Sequence, residues 1–149
     1  MEEQQRLYPV FDIPDIDESE VEQQPVMKAV PLFDYEAGDF VLDGQNRVVY
    51  VDGRDGYILW VLKTLNTQLG ACDSYLGYGV DFEDAMQQPD RETVQATLER
   101  YITEALMINP ATESVDDFNF TWEASTLYCT FIVKPYNLEA FDINMNLVE

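Results

Sequence analysis

The stretch from Arg91 to Phe131 constrains the fold more than any other part of this chain. Apolar residues spaced three and four apart between Val94 and Leu106 predict a helix over Arg91–Met107 that packs one face on a core. Asn109-Pro110 ends this helix, because proline has no N–H to donate and restricts the residue before it. Apolar residues then alternate on both sides of Ala124-Ser125-Thr126, which predicts two antiparallel strands. No set of side chains here is typical of a catalytic site.

Upstream of this helix, the sequence predicts short strands and one further helix. The strand candidates are Val30–Tyr35, Asp39–Leu42 and Arg47–Val51, of which the last two form a hairpin through residues 43–46. Asp52 is predicted to cap a helix over Gly53–Leu69, with Gly70 as the left-handed residue after its end. Residues 71–89 form a long connection whose aromatic residues indicate packing rather than a loose loop. Asp90 is the predicted N-cap of the second helix.

The last segment, Phe141–Leu147, has the cleanest apolar alternation in the chain. One interpretation is an ordinary third antiparallel strand packed on Phe131 and Val133. The other is strand addition between subunits, since an edge strand exposes unpaired N–H and C=O groups that a partner can cover. The predicted partner-binding residues in that case are Phe141, Ile143, Met145 and Leu147. The fold class expected from all elements is α+β, a single domain with a small, mainly antiparallel sheet packed on two main helices.

Residues 1–27 differ in composition from the rest and are predicted to form an extended acidic N-terminal arm, with the α+β domain over residues 28–149. The arm has eight acids against the single base Arg6, together with three prolines, so it cannot bury enough apolar surface to order itself. It nevertheless contains an apolar patch formed by Leu7, Tyr8, Val10, Phe11 and Ile13. The arm is therefore either a tail without a binding role or a partner-binding segment that orders on a neighbouring subunit.

Charge and cysteine content exclude several classes of protein. The chain has 29 acids, 8 bases and no histidine, a net charge of −21, which argues against binding nucleic acid or anionic lipid and favours basic protein partners. Cys129 shares a strand face with Leu127 and Phe131 and is expected in the core. Two cysteines make no disulfide framework, and neither a signal peptide nor a membrane-spanning run is apparent, so a cytoplasmic site of synthesis is expected.

No motif typical of an enzyme or of a cofactor site is apparent in the sequence. Carboxyl pairs such as Asp81/Glu83 and Asp116/Asp117 are inevitable among 29 acids and are expected to be solvated surface. Without histidine there is no His-based triad, His-containing zinc site or His general base. The acids around residues 15–18 and 52–56 lack EF-hand spacing, and Gly77-x-Gly79 does not precede a helix as a phosphate loop would. We therefore expect no enzyme activity, no cofactor and no metal.

The order of motifs resembles the sheath-initiator family of contractile phage tails and related injection systems, baseplate wedge proteins once labelled lysozyme-like. The resemblance covers roughly Val30–Leu147. Its motifs are Asp52-Gly53-Arg54-Asp55-Gly56-Tyr57, Tyr75-Leu76-Gly77-Tyr78-Gly79-Val80-Asp81, Glu104-Ala105-Leu106-Met107-Ile108-Asn109-Pro110 and Val115-Asp116-Asp117-Phe118. Ala111 stands where many members have Arg, and it cannot make the salt bridge to a partner that such an Arg would make.

The resemblance implies a structural role in the tail baseplate of a virion assembled in the host cytoplasm. There the family's sheet resembles the interlocking part of the sheath subunit, so that the first sheath ring docks by strand exchange and polymerisation starts. The implied partners are the tail sheath protein and other wedge and tube-proximal proteins, with six copies per baseplate. Two alternatives are kept: a cell-wall glycosidase using two carboxyls, motivated by the acid content and the old family label, and a DNA-mimicking inhibitor, motivated by the net charge of −21.

Overall fold

Helices and a three-stranded sheet form the main body of the protein, preceded by short β-ladders. The computed structural model describes residues 28–34, 36–71, 73–74 and 76–148. Its elements in chain order are β1 (Val30–Pro31), β2 (Phe33–Asp34), β3 (Asp39–Phe40), β4 (Tyr50–Val51), α1 (Gly53–Leu65), α2 (Phe82–Met86), α3 (Arg91–Met107), β5 (Thr112–Glu123), β6 (Thr126–Pro135) and β7 (Phe141–Val148). The predicted α+β class is confirmed.

The helix α3 has the bounds that the sequence predicts. Asp90 caps it as expected, because its Oδ1 accepts from the backbone N–H of Thr93 at 2.8 Å and its Oδ2 from the Thr93 hydroxyl at 2.8 Å. These bonds hold the pKa of the Asp90 carboxyl below its ordinary value. Val94, Leu98 and Ile102 are buried, so the apolar face predicted from the spacing is the face that packs.

The helix α1 is shorter than predicted, and Gly70 is not its C′ residue. The helix ends at Leu65 with Asn66 as its C-cap. The side-chain amide of Asn66 donates to the Leu62 carbonyl at 2.7 Å, and the backbone N–H of Asn66 donates to the same carbonyl at 3.0 Å. Beyond Asn66 the chain leaves the helix, and Gln68 forms an isolated parallel β-bridge with Val80 in place of further helical hydrogen bonds.

The connection between α1 and α3 is packed, as expected, and it contains the short helix α2, which the sequence analysis missed. Val80 and Ala85 of this connection are buried. Gly79 has φ +103, and a Cβ at this position would overlap the Thr67 carbonyl oxygen. The connection therefore approaches the end of α1 so closely that only glycine fits at position 79.

The main sheet has the order β5–β6–β7 and is antiparallel throughout. A two-residue turn joins β5 to β6, with Ala124 at φ 55. The register of β5 on β6 shifts between Asp116 and Asn119, where Asp117 has φ 56, so β5 contains a β-bulge. The register of β6 on β7 runs without a shift from Thr126↔Val148 to Val133↔Phe141.

The core lies between one face of this sheet and the helices. Its largest fully buried side chains include Tyr57 of α1, Leu98, Ile102 and Leu106 of α3, and Leu127 and Phe131 of β6. Cys129 is fully buried among them, as its strand position predicts. The opposite face of the sheet is not covered by any described helix, so the sheet is buried on one side only.

Polar contacts connect the helices to the sheet at the two opposite ends of β5. At one end the Thr112 hydroxyl donates to the Leu106 carbonyl at 2.8 Å and is hydrogen-bonded to the Tyr57 hydroxyl. At the other end the Arg91 guanidinium lies 4.6 Å from the centroid of the Trp122 ring and donates to the Ala124 carbonyl at 3.2 Å. The start and the end of β5 are thus both tied to helices.

The short strands β1–β4 form a three-way arrangement rather than a simple hairpin. β1 pairs with β4 and β2 pairs with β3, so the segment from Val30 to Asp34 contacts both arms of the predicted hairpin. The predicted hairpin turn is present, because Asp43 N–H donates to the Arg47 carbonyl at 2.8 Å and Leu42 bridges Val48. The strands are shorter than predicted because pairing partners change within each segment.

Candidate functional site

The outer edge of β7 is the candidate functional site. One edge of β7 pairs with β6 over all eight of its residues. No other strand of the described chain pairs with its second edge. The backbone N–H and C=O groups along that edge are therefore positioned to bond with a strand from another chain.

The side chains of the four residues predicted for strand exchange point into the core. Ile143 is 7% exposed, and the ring centroid of Phe141 lies 5.9 Å from that of Tyr57 in an edge-to-face contact. Met145 and Leu147 are partly buried and pack on the core clusters. These four side chains therefore hold β7 on the domain.

The residues between them face outward, and the sequence analysis did not assign them to the site. Asp142, Asn144, Asn146 and Val148 are exposed, with Val148 at 72%. The signal that could have found them is the same alternation, because the residues between inward-facing positions of a strand lie on its other face. They are the side chains that a strand added at this edge would meet.

The opposite edge of the sheet, on β5, is less suited to strand addition. Its bulge at Asp117 interrupts the ladder and bends the strand, whereas β7 has an uninterrupted register. A shallow hollow of about 490 Å³ opens beside the bulge, lined among others by Asp117, Asn119 and Asp142. The irregular edge is β5 and the regular edge is β7, so we place the candidate site on β7.

The carboxyl pairs considered for glycosidase chemistry have other roles or lie on the surface. The Asp81 carboxylate accepts from the backbone N–H of Asp84 at 3.0 Å and from the Gln68 amide at 2.9 Å, so it caps α2. Both bonds lower the pKa of Asp81, whereas a general acid needs a raised pKa. Asp116 is exposed on the uncovered face of the sheet.

Cys129 and the clusters of acidic side chains are the remaining groups that were considered for chemistry or metal binding. Burial raises the pKa of the Cys129 thiol to about 12, so it is held as the unreactive thiol. No group of three or more Cys, Asp or Glu side chains among the described residues is placed to hold a metal ion. The arm residues Leu7, Tyr8, Val10, Phe11 and Ile13 lie outside the described residues.

Comparison with protein families identifies the group to which the chain belongs. The family model for the contractile injection system sheath initiator matches residues 30–136, more than half of the chain. The comparison with curated proteins gives no match. None of the described helices is long and apolar enough to cross a membrane. The matched region includes all three helices and the strands up to β6, and the resemblance noted from the motifs is confirmed. The chain belongs to the contractile injection system sheath initiator family.

Proposed function

We propose that this protein is a baseplate wedge component that starts sheath polymerisation by pairing the free edge of β7 with a strand of the tail sheath protein. The observation that carries the proposal is the unshifted eight-residue ladder between β6 and β7, which leaves a second, regular edge without a partner in the described chain. Main-chain hydrogen bonds would supply affinity, and the alternating side chains would set the register of the incoming strand.

The role is structural and needs no catalytic group. The family is a structural one, and two groups considered for chemistry have structural surroundings, since the Asp81 carboxylate caps α2 and the Cys129 thiol is buried. Sheath and baseplate components are the partners, and the site of action is the tail baseplate of a virion. Six copies per baseplate would give each first-ring sheath subunit one initiating edge.

The domain organisation belongs to the same proposal. Residues 28–149 form the sheath-initiator domain, and residues 1–27 form the arm that ties it to a neighbouring wedge protein through Leu7, Tyr8, Val10, Phe11 and Ile13. The acids of the arm would speed its approach to a basic partner surface.

The experiment is a seeded polymerisation assay with purified sheath subunits. The test variant carries Asn144→Lys and Asn146→Lys on β7, because lysines on an edge strand oppose pairing with another strand. The matched control carries Tyr128→Lys and Thr130→Lys on β6, which lies on the same face of the sheet but has strands on both sides.

The edge variant is expected to lose seeding, measured by light scattering and by counting sheaths in electron micrographs, while the β6 control keeps it. Urea unfolding of both variants, compared with that of the native chain, is the control for an intact fold. Normal seeding by the edge variant would refute strand pairing at β7. Substitution is preferred to truncation after Tyr136, because removal of β7 would uncover Phe131 and Val133 in the core.

A further inference from the structure

A second surface, on the N-terminal β-structure, is apolar and exposed. Phe40 is 46% exposed, Leu42 47%, Val48 36% and Tyr50 62%. Leu42 and Val48 are bridge partners and so lie on one face, and the two-residue period adds Phe40 and Tyr50 to it. We refer to these four residues as the hairpin face. Four large apolar side chains in a row on a solvent-facing ribbon are typical of an interaction surface.

The hairpin face continues into a groove beside α1. The groove encloses about 320 Å³ and is lined by Val30, Pro31, Phe33, Phe40, Leu59, Lys63, Asn66 and Thr67. Phe40 belongs to both surfaces, so a single extended segment could lie along the groove and over the hairpin face. The walls of the groove are apolar apart from the polar end formed by Lys63, Asn66 and Thr67.

Within the described part of the chain, the two lysines beside the groove form neither an ion pair nor a contact with an aromatic ring, unlike the other described cations. Arg47 and Lys134 form ion pairs, and Arg54, Arg91 and Arg100 lie over aromatic rings. Among the residues that the structure describes, Lys63 and Lys28 have no carboxylate within ion-pair distance. Lys63 lines the groove, and Lys28 lies two residues before Val30, which lines it too. A fitting occupant is therefore apolar and carries acids.

We propose that residues 7–14 of this chain's own arm occupy the groove and cover the hairpin face. This segment reads Leu-Tyr-Pro-Val-Phe-Asp-Ile-Pro and is followed by Asp15 and Asp17, so it offers apolar side chains for the groove and carboxylates for Lys63 and Lys28. The prolines favour an extended conformation, which suits a groove along a β-ribbon.

The length of the chain permits this placement. The 15 residues from 15 to 29 separate the segment from Val30 at the groove wall. Fully extended, they span about 50 Å, which is ample for the segment to fold back over the groove. A tether of this kind gives an effective concentration of about 1 mM, so a weak intrinsic affinity suffices for docking.

The proposal does not rest on strand pairing at β7, and it adds a property to the arm. While it covers the hairpin face, the arm shields apolar surface that would otherwise be exposed on the free subunit. A wedge partner that captures the same apolar side chains would release the arm and uncover the hairpin face only on assembly.

The first test measures amide exchange in the full chain. The variant Tyr8→Ser, Val10→Ser, Phe11→Ser removes the apolar side chains of the docking segment, and Val21→Ser, Val26→Ser is the matched control within the arm. If the intrinsic Kd is about 0.1 mM, the tethered segment is docked about ten times as often as free, so the test variant exchanges amides 40–50 about tenfold faster. The control variant is expected to match the native chain. Unchanged exchange in the test variant would overturn the proposal.

The second test identifies the occupant. A zero-length carbodiimide joins an ammonium group to a carboxylate that touches it, and mass spectrometry locates the joined peptides. At low protein concentration we expect Lys63 or Lys28 to be joined to Asp12, Asp15 or Asp17 within monomers, and Lys63→Gln to remove the Lys63 product. Joined peptides found only in dimers would assign the groove to the arm of a second copy and overturn the intrachain placement. The absence of any arm product would overturn it as well.

Discussion

A buried hydrogen-bond chain between α1, α3 and β5 leads to a prediction whose sign can be worked out from the structure. Tyr57 is 0% exposed and Thr112 is 3% exposed. The Thr112 hydroxyl has one hydrogen, which it donates to the Leu106 carbonyl, a group that only accepts. The hydroxyl of Tyr57 must therefore be the donor in its bond to Thr112. Replacement of Thr112 by the isosteric Val leaves that donor buried without an acceptor.

The cost of Thr112→Val comes mainly from this orphaned donor. The Leu106 carbonyl also accepts from the backbone N–H groups of Ile108 and Asn109, so it keeps partners. Leaving the Tyr57 hydroxyl unsatisfied costs about 1–3 kcal/mol of unfolding free energy. Tyr57→Phe alone removes one neutral hydrogen bond and costs about 0.5–1.5 kcal/mol. In the double variant no buried donor is left unpaired, so part of the loss is recovered.

We therefore expect Tyr57→Phe/Thr112→Val to be more stable than Thr112→Val alone. The measurement is a double-mutant cycle of urea unfolding followed by circular dichroism and tryptophan fluorescence, at a pH well below the raised pKa of Tyr57. Equal m-values are the control for an unchanged denatured state. Additive losses, or a double variant less stable than Thr112→Val, would refute the assignment of Tyr57 as the buried donor.

Three further predictions concern single sites. In a Cys72→Ser background, Cys129 should react with thiol reagents only after unfolding in urea. The reason is that a pKa of about 12 instead of 9.0 lowers the thiolate fraction of Cys129 about a thousandfold. Labelling of the native protein at the rate of free cysteine would contradict this prediction. Gly79→Ala should destabilise the fold by about 3 kcal/mol, while Gly77→Ala, whose added Cβ meets no atom within 4 Å, serves as the control in thermal unfolding. Asp90→Ala should lower the urea midpoint at neutral pH, and the loss should shrink as the pH falls below the ordinary carboxyl pKa. The reason is that a carboxyl whose pKa is lowered in the folded state stabilises the fold only while it is ionised. An equally large difference in urea midpoint between variant and native chain at acid pH would show that the cap acts without its charge.

The parts of the fold that could be predicted are those whose signals are local. The bounds of α3 follow from Asp90 at its start, Asn109-Pro110 after its end and one apolar face between them. The alternation in Phe141–Leu147 likewise identifies the inward side chains of β7, because a strand shows its two faces directly in the sequence. The family could be identified for a related reason, since its motifs occur in a fixed order along the chain.

The parts that could not be predicted depend on contacts between distant residues. The helix α1 ends at Leu65 because Gln68 pairs with Val80, and no local sequence pattern predicts that pairing. The free edge of β7 is visible only once its pairing with β6 is known. The hairpin face is hidden for the same reason, because it requires the register that brings Leu42 opposite Val48.

The two fastenings of β5, one to Tyr57 and Leu106 and one to Arg91, give the domain a defined path for mechanical load. A strand held along the edge of β7 and pulled parallel to its axis stresses all the hydrogen bonds of the ladder together, whereas a pull from one end would break them one after another. The force then crosses β6 to β5 and enters the helices at both ends of that strand. With an anchor at one end only, the sheet would pivot on α3. With contacts at both ends, the sheet resists the pull in shear, through all the hydrogen bonds of the ladder at once.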